Sequence, residues 1–276
     1  MRFTIRHLTR YGYSAPVRLG PQRLRLSPRT EGVTLHSAEI AVTPAPVTRV
    51  DRTDAWGNGV TRLTFGRKTR ELVIESRFTL DTHAPAPLAA ALPGLPWSAP
   101  APSAFLPSEP IDPEVAAFAA SLAAATRGRA EDFLAALNET LFTRTDRHIR
   151  LTGNAQSPAE TLATAKGACR DLTMLFIAAA RTQGIPARFV SGYQAQAESV
   201  DGRRHLHAWP EVWLPGQGWR GYDPTHGLPV TDGHVALCVA PGQAGTLPLE
   251  GGFRGPEVTT TLDYEVVIDA TERAAD

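Results

Sequence analysis

Cys169, His207 and Asp223 follow one another along the chain in three distinctive settings, AKGACRDL, HLHAWPEVWL and RGYDPT. A thiol is a good nucleophile only when ionised, so it needs a base, and the base needs an acceptor to fix its orientation. Cys169 stands where a glycine-containing approach enters the apolar run LTMLFIAAA, which places it in the first turn of a helix. Backbone N–H groups and the helix dipole favour a thiolate there. His205 and His207 are the ordered candidates for the base, with Asp223 as acceptor. Strand alternation puts His207, Trp209, Glu211 and Trp213 on one face and Leu206, Ala208, Val212 and Leu214 on the core face. His205 has the same parity but lies nearer the strand start, so His207 is favoured. A three-residue turn at 215–217, with Gly216 and Gly218 available for positive φ, sets Asp223 opposite Trp209 and diagonal to His207. That is within side-chain hydrogen-bond reach. A two-residue turn would put Asp223 on the other face.

The elements that position these residues are readable in outline. Residues 1–83 form a series of short β-rich runs (Phe3 and Ile5 alternating with Thr4 and Arg6, then RLRLS, VTLHSAEIAV, GVTRLTF, ELVIESRFTL). The turn DAWGNG divides two of them. This pattern predicts an antiparallel sandwich or barrel. Residues 84–111 hold Pro85, Pro87, Pro93, Pro96, Pro100, Pro102, Pro107 and Pro110 and read as an extended connector. Residues 112–276 read as one further domain, helices first and strands after. Asp112-Pro113 and Ser157-Pro158-Ala159-Glu160 are helix starts, and Gly184 with Pro186 stops the helix that begins near Cys169. Strands follow at 187–198, 205–214 and 219–225, then HVALCVA and TTTLDYEVVID. The fold class is therefore α+β.

Composition narrows the function classes. The 276 residues carry 28 basic and 28 acidic side chains, so nothing predicts binding to nucleic acid or to an anionic membrane. No apolar run approaches the ~20 residues of a membrane span. The opening MRFTIRHLTRYGYS lacks the apolar centre of a signal peptide, and two cysteines are too few for a disulfide framework. Reduced thiols and a cytoplasmic location are expected.

Taken together, KGACRD, the apolar helix ending in GIPAR, and HAWPEVWLPGQGWRGYDPT resemble the catalytic core of the transglutaminase-like superfamily, papain-related enzymes with Cys, His and Asp in that order. The segments RLRLSPR and AWGNGVTRLTF are similar to the extra β domain of bacterial members. The resemblance covers about 1–83 and 112–236. It implies a papain-like, transglutaminase-like α+β core in 112–276 behind an N-terminal antiparallel β domain. It also implies Cys169 as nucleophile, His207 as general base and acid, and Asp223 as orienter. The stretch CVAPGQAGTLPLEGG departs from bacterial members, which often carry an Arg-Asp-Tyr element there. Ala163 excludes a side-chain oxyanion donor six residues before the cysteine, leaving the Cys169 backbone N–H as one donor.

The expected activity is cysteine-dependent hydrolysis of a peptide or amide through a thioester. Transfer of the same acyl group to an amine and a non-catalytic peptide-binding scaffold are the alternatives. No cofactor or metal is expected, because Asp223 as orienter accounts for the histidine that a metal reading of His205-Leu206-His207 would use. Cys238 is expected in the core, and Asp171 at the helix start as a dipole partner. His7, His36 and His83 are expected to be structural, with His226 and His234 solvated in or near loops. Substrate identity and oligomeric state are not legible.

Overall fold

The structure, a computed structural model, describes residues 1–88, 91–97, 102–150, 153–195, 204–255 and 257–272. Parts of the expected connector (89–90 and 98–101), the end of the strand expected at 187–198 (196–198) and residues 199–203 after it lie outside these residues. The first six strands are β1 (Arg2–Leu19), β2 (Gln22–Leu24), β3 (Val33–Thr43), β4 (Thr48–Thr53), β5 (Gly59–Thr64) and β6 (Lys68–Thr82). Helices α1 (Pro113–Ala125) and α2 (Ala130–Arg144) follow, then the short β7 (Asp146–Arg147), α3 (Pro158–Thr164), β8 (Lys166–Gly167) and α4 (Cys169–Thr182). The chain finishes with β9 (Ala187–Gln194), β10 (His207–Leu214), β11 (Gly218–Asp223), β12 (Leu228–Pro229), β13 (His234–Ala240), β14 (Leu249–Glu250), β15 (Phe253–Arg254) and β16 (Thr260–Thr271).

Local chemistry explains the helix ends. The Asp112 carboxylate accepts the Glu114 N–H at 2.9 Å, and Ser157 Oγ accepts that of Glu160 at 3.1 Å, satisfying N–H groups that have no intrahelical partner. Gly184, at φ +75°, ends the segment that follows α4. The hairpin of β4 and β5 turns on Asp54, whose carboxylate accepts the backbone N–H groups of Trp56 and Asn58.

Three sheets matter for the site. One runs β15-β1-β6-β3, with β16 also on β1; a second runs β14-β2-β5-β4; the third runs β12-β11-β10-β9-β13. The third sheet is sandwiched. Helices α1, α2 and α4 cover one side, where Phe133, Leu137, Phe176 and Ile185 meet Phe189 and Val212 in an apolar core. On the other side Tyr193, Val235 and Leu237 join Phe3, Ile5, Leu24 and Phe78 of the N-terminal sheets. One strand pairing crosses the expected division of the chain. Sequence order puts the last strand in the catalytic domain at 112–276, yet β16 pairs with β1 from Arg2↔Thr271 to Tyr13↔Thr260. A strand with TTTLDYEVVID alternation needs a partner edge, and the N-terminal sheet supplies it. The Asn58 amide further ties the parts together by bonding both the N–H and the C=O of Val239 at 2.8 Å. Among the described residues no helix is long and apolar enough to cross a membrane.

Candidate active site

Cys169 opens α4, the helix wedged between the other helices and the central sheet. Its first turn is held by Asp171, which is fully buried. One carboxylate oxygen of Asp171 accepts the Ala168 N–H at 2.7 Å; the other accepts the Gln156 N–H at 2.8 Å and Arg150 Nη2 at 2.5 Å. Asp171 thus does more than favour the dipole, because it pins the loop before the nucleophile candidate to the helix. Cys169 itself is half-buried, whereas Cys238 is sealed in the core and donates to the Thr246 carbonyl at 3.3 Å.

The hairpin of β10 and β11 takes the odd register. Trp213 pairs with Trp219 and Leu214 with Gly218, with Gly216 and Gly218 at φ +71° and +76°. A non-glycine residue pays steric strain in that left-handed region. The register brings His207 Nε2 to 2.8 Å from Asp223 Oδ2. The other edge of the imidazole is turned toward Cys169, and His207 and the Ala208 N–H lie close enough to the sulfur to favour its charged form. With Nε2 engaged by Asp223, Nδ1 is the nitrogen left for Cys169. Cys169, His207 and Asp223 therefore converge in that order, with Cys169 half-buried and His207 bonded to Asp223.

The charges follow from these contacts. Burial pushes the Cys169 thiol up, but the His207 hydrogen bond and charge, with the Ala208 N–H, outweigh it and hold the thiol below its ordinary value. Burial alone would lower His207; the Asp223 charge and hydrogen bond, then Cys169, raise it to about 10. Asp223 is held well below the usual carboxylate range, the His207 charge and the histidine hydrogen bonds overriding its burial. Both shifts move the pair toward its thiolate–imidazolium form. Burial instead drives Cys238 up to about 12.

His207 and Trp209 share a face as expected, but Trp209 does not border open space. It is sealed against Val190 and Val239, its ring 6.0 Å from that of His207. Gly192 lies opposite His207 in the ladder. A Cβ there would collide with the Val235 carbonyl oxygen and the Trp209 ring, so only glycine leaves room for the indole beneath the imidazole. His205 turns away and bonds the Tyr264 hydroxyl at 2.7 Å, as strand position suggested. His7 is buried and bonds Tyr193, and His36 bonds Asp81.

Two residues of this site escape the sequence reading. His226 and His234, expected to be solvated, both bond Asp223 Oδ2, at 2.9 and 3.1 Å. The sequence holds a signal for His226: in DPTH, an aspartate side chain can accept the N–H groups two and three residues on, and Asp223 Oδ1 accepts those of Thr225 and His226. His234 gives none, since only the pairing of β13 with β9 brings it in. His207 Nε2, Asp223 Oδ2 and His226 Nδ1 lie within 4.8 Å of one another, a spacing a cation can use. The nitrogens, however, point at the oxygen itself at hydrogen-bond distance, which makes the set a cage of proton donors around a carboxylate.

Comparison with known proteins agrees with this layout. Residues 116–224 match the sequence model of the transglutaminase-like superfamily, and residues 3–81 match that of the bacterial transglutaminase-like N-terminal region. The chain carries a transglutaminase-like core behind a bacterial transglutaminase-like N-terminal region. An uncharacterized protein of Mycobacterium leprae is 28% identical over 293 residues, covering 99% of each chain. The crystal structure of a candidate cysteine protease from Cytophaga hutchinsonii superposes with a TM-score of 0.72, covering 99% of this chain and 92% of that one; at 19% identity the likeness is one of fold. A protein-glutamine gamma-glutamyltransferase of Pseudomonas aeruginosa is 39% identical over 69 residues, which are 23% of this transglutaminase-like chain and 10% of that protein.

Proposed function

We propose that the protein is a cysteine-dependent amide hydrolase acting on a peptide or related amide. The observation that carries this reading is the convergence of Cys169 on His207, whose Nε2 is bonded to Asp223 at 2.8 Å. The Cys169 thiolate attacks the amide carbonyl carbon, and the electron pair of the C=O bond moves to oxygen. The Cys169 backbone N–H, in the first turn of α4 where the helix leaves N–H groups unpaired, is one donor to that oxyanion. As the C–N bond breaks, His207 passes the proton on Nδ1 to the leaving amine, and a thioester remains on Cys169. His207, now neutral, takes a proton from water; the hydroxide oxygen attacks the thioester, and the acid leaves as the thiolate–imidazolium pair re-forms. Asp223 keeps the ring oriented and its cationic form stable throughout.

The same thioester yields a new amide if an amine replaces water. The local likeness to a protein-glutamine gamma-glutamyltransferase supports keeping acyl transfer as the second reading. Incubation of a peptide library with and without a primary amine, read by mass spectrometry, tests both. Cleaved peptides in both arms support hydrolysis, and amine adducts support transfer. Peptides unchanged in both arms would contradict the proposal.

A further inference from the structure

One imidazole on Asp223 would suffice to orient His207, yet three converge on the same oxygen. Oδ2 accepts from His207 Nε2 at 2.8 Å, His226 Nδ1 at 2.9 Å and His234 Nε2 at 3.1 Å, and the carboxylate is fully buried. For one oxygen to accept all three, each ring must present an N–H to it. His234 Nδ1 is buried with no hydrogen-bond partner among the described residues. His234 is therefore a neutral ring carrying its proton on Nε2, because a second proton would bury an unpaired charged N–H. His226 exposes about a quarter of its side chain (25%) and donates through Nδ1. The groups facing His207 are Cys169 from α4, Asp223 from β11, His226 from the turn after β11 and His234 from β13, with Trp209 on its own strand.

The consequence concerns how firmly His207 keeps its proton. A buried imidazolium paired with a carboxylate that has no other donor is stabilised strongly, and such a ring releases its proton poorly near neutral pH. Every further N–H on Oδ2 draws charge from the oxygen and weakens that hold. We propose that His226 and His234 are positioning residues: by sharing Asp223 Oδ2 they fix the carboxylate and lower the affinity of His207 for the proton it must give to the leaving group. This rests on the function proposed above. The two histidines touch neither the sulfur nor a reacting atom; they act through Asp223.

The sign of one titration separates this role from simple support. If the two histidines only held Asp223 in place, removing one would loosen the carboxylate and the His207 midpoint would fall. If they draw charge from it, removal raises the midpoint. Histidine-ring-labelled protein is titrated by NMR from about pH 7 to 12 as wild type, His234→Leu, His226→Leu, His234→Gln and His226→Asn. Gln and Asn place an amide N–H where Nε2 and Nδ1 stood and so restore the donor without the ring. The leucine variants should raise the His207 midpoint by about one pH unit, and the amide variants should return it to within a few tenths. A midpoint that falls or stays unchanged in the leucine variants overturns the proposal. Should His234→Leu fail to fold, the less buried His226 carries the same comparison. Iodoacetamide labelling of wild-type Cys169 and Cys238 at pH 6 reads the nucleophile separately. Equal rates there would end the functional reading, while the His207 comparison would still decide the role of the donors.

Discussion

Replacing Asp223 by asparagine removes the charge that sustains the ion pair while keeping nearly the same shape. In the folded protein His207 is raised from 6.5 to about 10, with burial opposing and the Asp223 charge and hydrogen bond leading the upward causes. That rise corresponds to roughly 5 kcal/mol of preference for the cationic ring. Without the charge, burial dominates and His207 should titrate at or below its ordinary value. Cys169 then loses the cationic neighbour that lowers it and, with its partial burial still pushing upward, should return to at least its ordinary 9.0. At pH 7 the thiolate fraction would then be about one in a hundred or less, below that of the wild type. Thiolate absorbance near 240 nm, with Cys169→Ala as the blank, measures this directly, because Cys238 at about 12 stays protonated in that range. Circular dichroism confirms the fold, since the substituted amide would still offer a carbonyl to the N–H groups of Thr225 and His226. If Asp223→Asn kept the wild-type thiolate signal at pH 7, the carboxylate would not be what sustains the pair, and the electrostatic reasoning here would be wrong.

Two further outcomes are expected. Gly192→Ala should destabilise the fold by about 3 kcal/mol or more, seen as a lower thermal midpoint, because its Cβ would meet the Val235 carbonyl and the Trp209 ring; an unchanged midpoint would mean that the strand yields freely. His7, lowered by burial from 6.5 to about 4, must stay neutral to fold. Its contribution is therefore favourable above pH 6.5 and is lost as pH falls toward 4, by roughly 3 kcal/mol. Urea unfolding at both ends of that window should show a smaller decline for His7→Asn than for the wild type.

How much of this is legible depends on the range over which each residue acts. Cys169 can be placed because Gly167, the apolar run and Gly184 are local signals, and a helix start is a local event. The odd hairpin register can be placed because Gly216 and Gly218 are adjacent to it, and that register fixes the face on which Asp223 falls. The N-terminal strands are mostly visible, although Thr48–Thr53 carries too little apolar alternation to read as one, and every residue of it is exposed. His234 and the pairing of β16 with β1 are not visible. Each depends on which distant edge a strand finds, and a period-2 pattern specifies a buried face without naming the neighbour. The division at 84–111 is incomplete for the same reason: the prolines mark a connector, but they do not say that the chain's last strand returns across it.

The central claim is that Cys169 is an activated thiolate and Cys238 an inert core thiol. Competitive labelling of the folded wild-type protein with limiting iodoacetamide at pH 6, quantified at each cysteine by peptide mass spectrometry, tests it most directly. Cys169 should be modified at least about a hundredfold faster than Cys238. Comparable rates at the two sulfurs would contradict it.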